Sequence, residues 1–310
     1  MNRETTDHSP LFSIFIPTWN NLPMLRLCVE SIEKNSTYPH EIIIHVNDGS
    51  DGTLDWVRSR GLKHTHSAEN IGICWAMNGM RPLATTDYIA FVNDDMYLLP
   101  GWDEALYSRI REEDGDLWFM ASTVIQRVGH SRRPRAIQVA DYGTDASNFR
   151  EEQLLDEYRR YEQTDWRGAV QPPCVVSRNA WDLAGGYSVE FSPGWASDPD
   201  FNAKLWLAGC RTYRGVGTSL CYHFMSKSVH RVVKNNGTLQ FLRKYGVTVR
   251  VFQEKILRID EPWDSEYAPD YGELRTERAR GRLKSLYTIF KPSRTASVWD
   301  NFFPKTKNDK

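Results

Sequence analysis

Apolar residues alternate between continuous runs and helical spacing along the first hundred positions of the chain. Continuous apolar runs at residues 11–16, 41–46 and 88–92 are typical of strands buried on both faces of a parallel sheet. Helical spacing begins after Asn20 and Asn21, which we expect to cap the first helix. Strands that alternate with helices predict right-handed crossovers. We therefore expect an α/β fold with a Rossmann-like, mostly parallel central sheet flanked by helices.

The second part of the chain has a less regular pattern. Its predicted elements are strands at residues 117–125, 170–177 and 212–223 and a helix at 198–207. Residues 129–167 are polar and irregular apart from a helical pattern at 151–161, and we interpret them as an insertion or a mobile loop. The predicted divisions are a main domain at 1–230, with halves at 11–100 and 101–230, and a helical C-terminal extension at 231–310.

Polar residues cluster directly after three of the predicted strands, at 18–21, 47–51 and 93–95. Ligands bind beyond the carboxyl ends of parallel strands, so these clusters are expected to converge on one crevice. The adjacent carboxylates of Asp94 and Asp95 repel each other unless a cation compensates, and Mg²⁺ or Mn²⁺ prefers such oxygen ligands. The alternative is that the pair caps the following turn. Its position at a strand end favours the metal site.

Charge and cysteine content narrow the class of protein. The chain has 39 basic and 40 acidic side chains, so no overall field favours nucleic acid as a partner. Its 5 cysteines are scattered without a C-x-x-C pair, which predicts reduced thiols rather than disulfides or a zinc site. No apolar run approaches the roughly 20 residues that span a bilayer. We expect a cytoplasmic protein, soluble or attached peripherally to the inner membrane face.

Five short motifs follow one another along the chain. They are Ile16-Pro17-Thr18-Trp19-Asn20, residues 46–53, Glu69-Asn70-Ile71-Gly72 with Ala76 and Asn78, Asn93-Asp94-Asp95, and Gly185-Gly186-Tyr187 followed by Asp198-Pro199-Asp200. Together, over about residues 11–230, they resemble the motifs of family 2 glycosyltransferases, which have the GT-A fold and use nucleotide sugars. The resemblance implies that residues 11–100 are a nucleotide-binding half and that residues 101–230, including 129–167, are an acceptor half.

The resemblance also implies a nucleotide site at the strand ends. In such a site Asp48 would hydrogen-bond the base, Trp19 would stack on it where the family often has Tyr, and Asp94 would contact ribose or sugar. The implied nucleotide-binding residues are Pro17, Thr18, Trp19, Asn20, Asp48, Asn70, Asn78 and Asp94.

A metal site and a catalytic base are implied in the same way. Asp95 and His223 would be ligands of Mn²⁺ or Mg²⁺, although Asn93 stands where the family's D-x-D motif has its first Asp. Asp198 would remove a proton from the acceptor hydroxyl. Two alternatives stay open here: Asp200 as the base, and Asp198 as a cap of the helix that begins near it.

The implied function is inverting transfer of a sugar from a nucleotide-diphosphate sugar to an acceptor hydroxyl. Uridine or thymidine donors and a carbohydrate or lipid-linked acceptor, in surface polysaccharide or glycoconjugate synthesis, fit the resemblance. One alternative is a non-catalytic nucleotide-sugar-binding module. Another is a nucleotidyltransferase, which is disfavoured because residues 17–21 contain neither the Gly nor the Lys of a triphosphate-binding loop.

The C-terminal part carries basic and aromatic residues. Lys227, His230 and Arg231 are candidates for holding diphosphate charge. A basic helical pattern at 274–290, followed by aromatic residues at 299–303, is compatible with peripheral binding to an anionic membrane. Packing on the same domain, or on a second subunit in a homodimer, is the favoured interpretation.

Overall fold

The computed structural model describes residues 9–225, 236–263 and 271–289. Lys227, His230, Arg231 and the aromatic residues at 299–303 lie outside these ranges. The strands are β1 (Phe12–Trp19), β2 (Glu41–Asn47), β3 (Lys63–Ser67), β4 (Tyr88–Phe91), β5 (Met96–Leu98), β6 (Trp118–Gln126), β7 (Ile137–Val139), β8 (Trp166–Arg167), β9 (Cys174–Ser177) and β10 (Thr212–His223). The helices are α1 (Leu22–Asn35), α2 (Thr53–Ser59), α3 (Gly72–Met80), α4 (Trp102–Ile110), α5 (Glu151–Glu157), α6 (Arg178–Ala184), α7 (Ser197–Leu207), α8 (Gly237–Tyr245), α9 (Val249–Val251) and α10 (Tyr271–Ile289).

The described strands form one mixed sheet. Its order is β3-β2-β1-β4-β9-β6-β10-β5, with β7 beside β6 and β8 beside β10. Strands β1 to β4 pair in parallel, and β10 is parallel to β6. Strand β9 lies antiparallel between β4 and β6, and β5 is antiparallel to β10. The predicted α/β class is confirmed, and β9 is the strand that joins its two parallel groups.

Both faces of the sheet are covered by hydrophobic side chains. Phe15 belongs to one buried cluster, whereas its neighbours Ile14 and Ile16 belong to another on the opposite face. Successive side chains of a strand point to opposite faces, so a strand covered on both sides must be apolar at every position. This explains the continuous apolar run that predicted β1.

Helix α1 packs on the sheet with the predicted apolar stripe. The buried stripe includes Leu25, Cys28, Val29 and Ile32. Its N-terminus differs from the expectation, because neither Asn20 nor Asn21 caps the helix through its side chain. The backbone N–H of Leu22 instead donates to Oδ2 of Asp51, 3.0 Å away. The cap comes from the loop after β2, and it ties together two loops at the same edge of the sheet.

The regions predicted as an insertion and an extension are joined to the main body. Residues 129–167 supply β7 and β8 to the sheet, and Leu154 of α5 belongs to a third buried cluster. Phe241, Phe252 and Leu257 belong to the same cluster as Phe15. The division into a main domain and an extension at residue 230 stays a prediction.

The cysteine side chains lie in the interior of the protein. All five cysteines are buried free thiols. Burial raises the pKa of the Cys28 thiol well above its ordinary value, so it stays protonated.

Among residues 9–225, 236–263 and 271–289, no helix has both the length and the apolar composition needed to cross a bilayer.

Candidate active site

A cavity of about 460 Å³ opens at the carboxyl ends of β1, β2 and β4. The predicted site residues that line it are Pro17, Thr18, Trp19, Asn70, Asp94, Asp95, Asp198 and His223. Asn20, Asp48 and Asn78 lie outside this lining. The convergence of strand ends therefore brings most of the candidates onto one cavity.

Asp95 and His223 face each other on neighbouring strands. Asp95 directly precedes β5, and β10 pairs with β5 so that His223 lies opposite Met96. Oδ1 of Asp95 is 3.3 Å from Nε2 of His223, and Nδ1 of His223 is 3.0 Å from Oε1 of Gln126. An amide oxygen only accepts hydrogen bonds, so Gln126 holds a proton on Nδ1 and directs Nε2 at Asp95.

The geometry and charge of this pair suit a divalent cation. Two ligands at right angles, each about 2.1 Å from an ion, lie about 3.0 Å apart. The 3.3 Å between Asp95 Oδ1 and His223 Nε2 is close to this value. Burial by itself lowers the pKa of His223, but the carboxylates of Asp95 and Asp94 outweigh it and raise that pKa.

Two protein ligands alone do not complete a coordination shell. In the part of the chain that the structure describes, no group of three or more Asp, Glu, His or Cys side chains is placed to hold a metal ion. An ion held by Asp95 and His223 would have to take its remaining ligands from other groups, such as phosphate oxygens and water.

Asp94 is held against the end of β1. Oγ1 of Thr18 donates to Oδ2 of Asp94 at 2.6 Å, and both side chains are buried. Trp19, the next residue of β1, is partly buried and lines the same cavity. The adjacent carboxylates of Asp94 and Asp95 thus have separate partners, which reduces their mutual repulsion.

Asn20 and Asp48 form a polar pair on the loops after β1 and β2. Nδ2 of Asn20 donates to Oδ2 of Asp48 at 2.8 Å, and Oδ1 of Asn20 accepts from the Gly49 N–H at 2.9 Å. Both residues have positive φ, 45° and 63°, a conformation that Asn and Asp tolerate better than most residues. Hydrogen bonds from Ser50 and Asn20 lower the pKa of Asp48. Their contact with a nucleotide stays a prediction.

Asn78 is bonded to backbone rather than directed into the cavity. Its Nδ2 donates to the carbonyl of Tyr187 at 2.7 Å, and its Oδ1 accepts from the Tyr187 N–H at 2.8 Å. The hydroxyl of Tyr187 in turn donates to Oδ1 of Asp198 at 3.0 Å. Asn78 therefore positions the residue that contacts Asp198, and its predicted role with the nucleotide stays a prediction.

Asp198 lies in the first turn of α7 with its carboxylate bonded to Tyr187. The N-cap of α7 is Ala196, so the Asp198 side chain is not the helix cap. Burial raises the pKa of Asp198 to about 6, while the Tyr187 hydrogen bond and the charge of Arg133 act in the opposite direction. A carboxyl with this pKa accepts a proton more readily than an ordinary Asp.

Asp200, the alternative base, has a different environment. Its side chain is fully buried, and Oδ1 lies 2.8 Å from Nζ of Lys244 and 2.7 Å from the hydroxyl of Tyr245. It lies outside the cavity lining. This ion pair joins α7 to α8, so the geometry favours Asp198 as the residue that meets a substrate.

Gln126 and Trp195 are among the cavity-lining residues that the sequence reasoning missed. Gln126 ends β6 and orients His223, and the strand-end rule that selected Asp94 and Asp95 would also have selected it. Trp195 is 49% exposed and follows Gly194 in the glycine-rich segment. A Trp directly after a glycine-rich segment was the available signal in the sequence, because an aromatic ring beside a loop is a common contact surface for a ligand.

Solved structures with the same architecture identify the fold. The crystal structure of S. aureus TarS 1-349 has a TM-score of 0.55 and 15% sequence identity, over 92% of this chain and 73% of that one. Its complex with UDP-GlcNAc has a TM-score of 0.53 and 16% identity, over 92% of this chain and 74% of that one. The curled mixed sheet flanked by helices is the GT-A fold.

Residues 13–180, just over half of the chain, match the family described as glycosyl transferase family 2, and the chain belongs to that family. Glycosyltransferase GlyG of Streptococcus pneumoniae serotype 4 (strain ATCC BAA-334 / TIGR4) is 30% identical over 115 residues, which are 35% of this chain and 38% of that protein. The uncharacterized glycosyltransferase EpsJ of Bacillus subtilis (strain 168) is 31% identical over 110 residues, which are 34% of this chain and 30% of that protein. The chain thus spans about a third of the length of these curated relatives.

Proposed function

We propose that the protein transfers a sugar from a nucleoside diphosphate sugar to an acceptor hydroxyl with inversion of the anomeric carbon. The observation that carries the proposal is that the Asp95 and His223 pair and the Asp198 carboxylate line the same cavity. The pair suits a cation beside a diphosphate, and the carboxylate suits proton removal. TarS has been solved with UDP-GlcNAc and with UDP, which favours a uridine donor over a thymidine donor.

The donor is proposed to lie along the ends of β1 and β2. Trp19 offers an aromatic face for the base, and the Asp48 carboxylate accepts hydrogen bonds from base N–H groups. Asp94, which accepts a hydrogen bond from Thr18, would also accept hydrogen bonds from ribose or sugar hydroxyls. These contacts would fix the diphosphate near Asp95.

Asp95 and His223 are the residues proposed to hold Mn²⁺ or Mg²⁺. When bound, such an ion neutralises the charge that develops on the leaving diphosphate without a proton transfer. Gln126 holds the His223 ring in the orientation in which Nε2 faces Asp95.

The transfer step uses Asp198 as the general base. Its carboxylate removes the proton of the acceptor hydroxyl while that oxygen attacks the anomeric carbon. The new C–O bond forms as the bond between the anomeric carbon and the diphosphate oxygen breaks, and the nucleoside diphosphate leaves. Tyr187 keeps one carboxylate oxygen occupied and so fixes the orientation of the other.

The acceptor is proposed to be a carbohydrate or a lipid-linked saccharide in surface polysaccharide or glycoconjugate synthesis. The family resemblance alone supports this biological role. The chemistry requires only that the acceptor hydroxyl reach Asp198.

The proposal is tested by calorimetric titration with UDP, TDP, GDP and CDP, with and without Mn²⁺. We expect UDP or TDP to bind, and to bind more tightly with Mn²⁺, because Asp95 and His223 would hold the ion and its charge would offset that of the diphosphate. Absence of binding by all four nucleotides, with and without Mn²⁺, would contradict the proposal. Binding without turnover in the presence of a donor sugar would instead favour a non-catalytic module.

Replacing Trp19 with alanine is expected to weaken nucleotide binding by about 1–3 kcal/mol, because the base loses its stacking surface. The same titration measures the change. Trp75→Ala is the matched control, since Trp75 is 47% exposed and lies outside the cavity lining. Equal affinity in Trp19→Ala and the wild type would place the Trp19 ring in a structural role.

The transfer rate is expected to rise with pH through about 6, the pKa of Asp198, because only the carboxylate accepts the acceptor's proton. Tyr187→Phe removes a hydrogen bond that lowers this pKa, so the midpoint of the rate profile should move to higher pH. The measurement is the rate at saturating donor as a function of pH. If the midpoint is the same in Tyr187→Phe and in the wild type, the group that titrates is not Asp198.

A further inference from the structure

A second cavity of about 560 Å³ lies beside the first and is lined by cations. It is formed by the segment at 130–133, helices α8 and α9, the turn that follows α9, and α10. Its basic lining residues are His130, Arg132, Arg133, Arg250 and Lys284. Among its described lining residues, Glu254 carries the acidic charge.

Among the described lining residues of this cavity, the one carboxylate is outnumbered by the cations around it. Glu254 is shared, with Oε1 2.9 Å from Nη1 of Arg132 and Oε2 2.8 Å from Nε of Arg250. Arg133 and Lys284 add further positive charge to the same lining. A concave surface with surplus cations raises the local concentration of anions.

Arg133 connects the two cavities. Its Nη1 donates to Oε1 of Gln171, which lines the active-site cavity, at 3.2 Å. Its Nη2 donates to Oε1 of Gln253, which lines the second cavity, at 2.7 Å. Within the described ranges, the hydrogen-bond partners of this guanidinium are neutral amide oxygens, and no carboxylate is in ion-pair contact with it. A guanidinium has five N–H donors, so Arg133 can still bind a carboxylate or phosphate group.

Trp195 forms the boundary between the cavities and lines both. Its backbone is held by a tight turn, in which the Ser197 hydroxyl donates to the Gly194 carbonyl at 2.7 Å and Ala196 has a φ of 66°. Trp195 is 49% exposed, so part of its side chain is accessible to pack against a sugar. An acceptor that crosses this boundary can place a hydroxyl at Asp198 and another part of itself among the cations.

We propose that the second cavity is an acceptor subsite for an anionic saccharide, in which a phosphate or carboxylate group lies among Arg133, Arg250 and Lys284 while a sugar ring packs on Trp195. This inference rests on the proposed function and adds the chemical class of the acceptor. Phosphate and carboxylate share the bidentate geometry that guanidinium groups recognise.

The test compares glucose 6-phosphate, glucuronate and glucose as probes in calorimetric titrations of the full chain. The variant Arg250→Gln/Lys284→Gln removes two exposed cations and leaves Arg133 and the Asp198 environment intact. We expect glucose 6-phosphate and glucuronate to bind the wild type more tightly than glucose does. In the variant their affinity should fall about tenfold, because charge-assisted hydrogen bonds are lost. The stronger of the two anionic probes identifies phosphate or carboxylate as the recognised group.

Arg280→Gln is the matched control, because Arg280 lies one turn earlier on α10, outside the cavity lining, and pairs with Glu277. It should bind all three probes as the wild type does. Equal binding of glucose and the two anions, or an equal loss in Arg280→Gln, would overturn the inference. A third variant, Arg133→Gln, extends the test to the partly buried cation and should reduce the affinity for the anions more than for glucose.

Nucleotide titration of the same variants separates this inference from the proposed function. Arg250→Gln/Lys284→Gln should bind UDP as the wild type does, since neither residue lines the active-site cavity. If UDP binds but anionic saccharides are not preferred over glucose, the acceptor-subsite inference is wrong and the proposed function is unaffected. Loss of UDP binding in the wild type would instead remove the proposed function and leave the anion preference of the cavity as a separate result.

Discussion

Asp95→Asn is expected to abolish the part of UDP binding that depends on Mn²⁺. Asparagine keeps the shape of the side chain but lacks its negative charge, and His223 alone cannot anchor the ion. Removing a direct ligand should weaken ion affinity by at least about 100-fold, more than the loss of an outer-shell partner. The measurement is UDP titration of the variant with and without Mn²⁺.

The control for Asp95→Asn is Asp87→Asn, which removes an acid that is 81% exposed and 2.9 Å from Arg178. This control should retain the full response to Mn²⁺. Asp95→Asn with Mn²⁺ should behave like the wild type with a chelator. A Mn²⁺ response of wild-type size in Asp95→Asn would remove Asp95 from the metal site.

Asp198→Asn is expected to lower the transfer rate by about 10³-fold, a typical contribution of a positioned general base. Asparagine can still accept the hydrogen bond from Tyr187, so the local structure is retained. UDP binding should be unchanged, because Asp198 is proposed to act on the acceptor. Single-turnover transfer at saturating donor measures the loss.

Asp200→Asn provides the contrast within the same helix turn. Its carboxylate is paired with Lys244, whose side chain is partly exposed, so breaking the pair should cost less than the roughly 3–5 kcal/mol of unfolding free energy that is typical of a fully buried pair. We expect a lower free energy of unfolding, measured by denaturant titration, with a smaller effect on transfer by the folded fraction. If folded Asp200→Asn loses transfer about 10³-fold while Asp198→Asn stays active, Asp200 is the general base and Asp198 is not.

The strand ends were predictable because one rule governs them. The carboxyl ends of parallel strands lie on a common edge of the sheet, so the sequence predicts that Thr18, Trp19, Asp94 and Asp95 lie together, and all four line one cavity. The partnership of Asp95 with His223 came from family resemblance, since no local pattern reports an antiparallel pairing between β5 and the distant β10. Strand β9 was predicted, but not its antiparallel insertion between β4 and β6.

The misjudged features depend on contacts between distant segments. Asn20 was expected to cap α1, but its side chain hydrogen-bonds to Asp48, and the carboxylate of Asp51 caps the helix instead. Likewise, the second cavity is formed by residues 130–133 together with α8 and α10, and the sequence of each segment does not predict that the three lie together. The local sequence predicts helices, strands and turns. The hydrogen-bond partner of a polar side chain, in contrast, depends on the tertiary fold.

The position of Asp95 and His223 on two paired strands links ion binding to the folding equilibrium. The Phe224 N–H donates to the Asp95 carbonyl at 3.1 Å, so the backbone already joins the two ligands' segments. A site that exists only when β5 and β10 are paired binds the native state alone, and ligand at about 100 times its dissociation constant then adds about 2.7 kcal/mol to the free energy of unfolding. The proposed ion would thus act as a non-covalent crosslink between the two halves of the main body, and chelation would lower the melting temperature as well as the turnover.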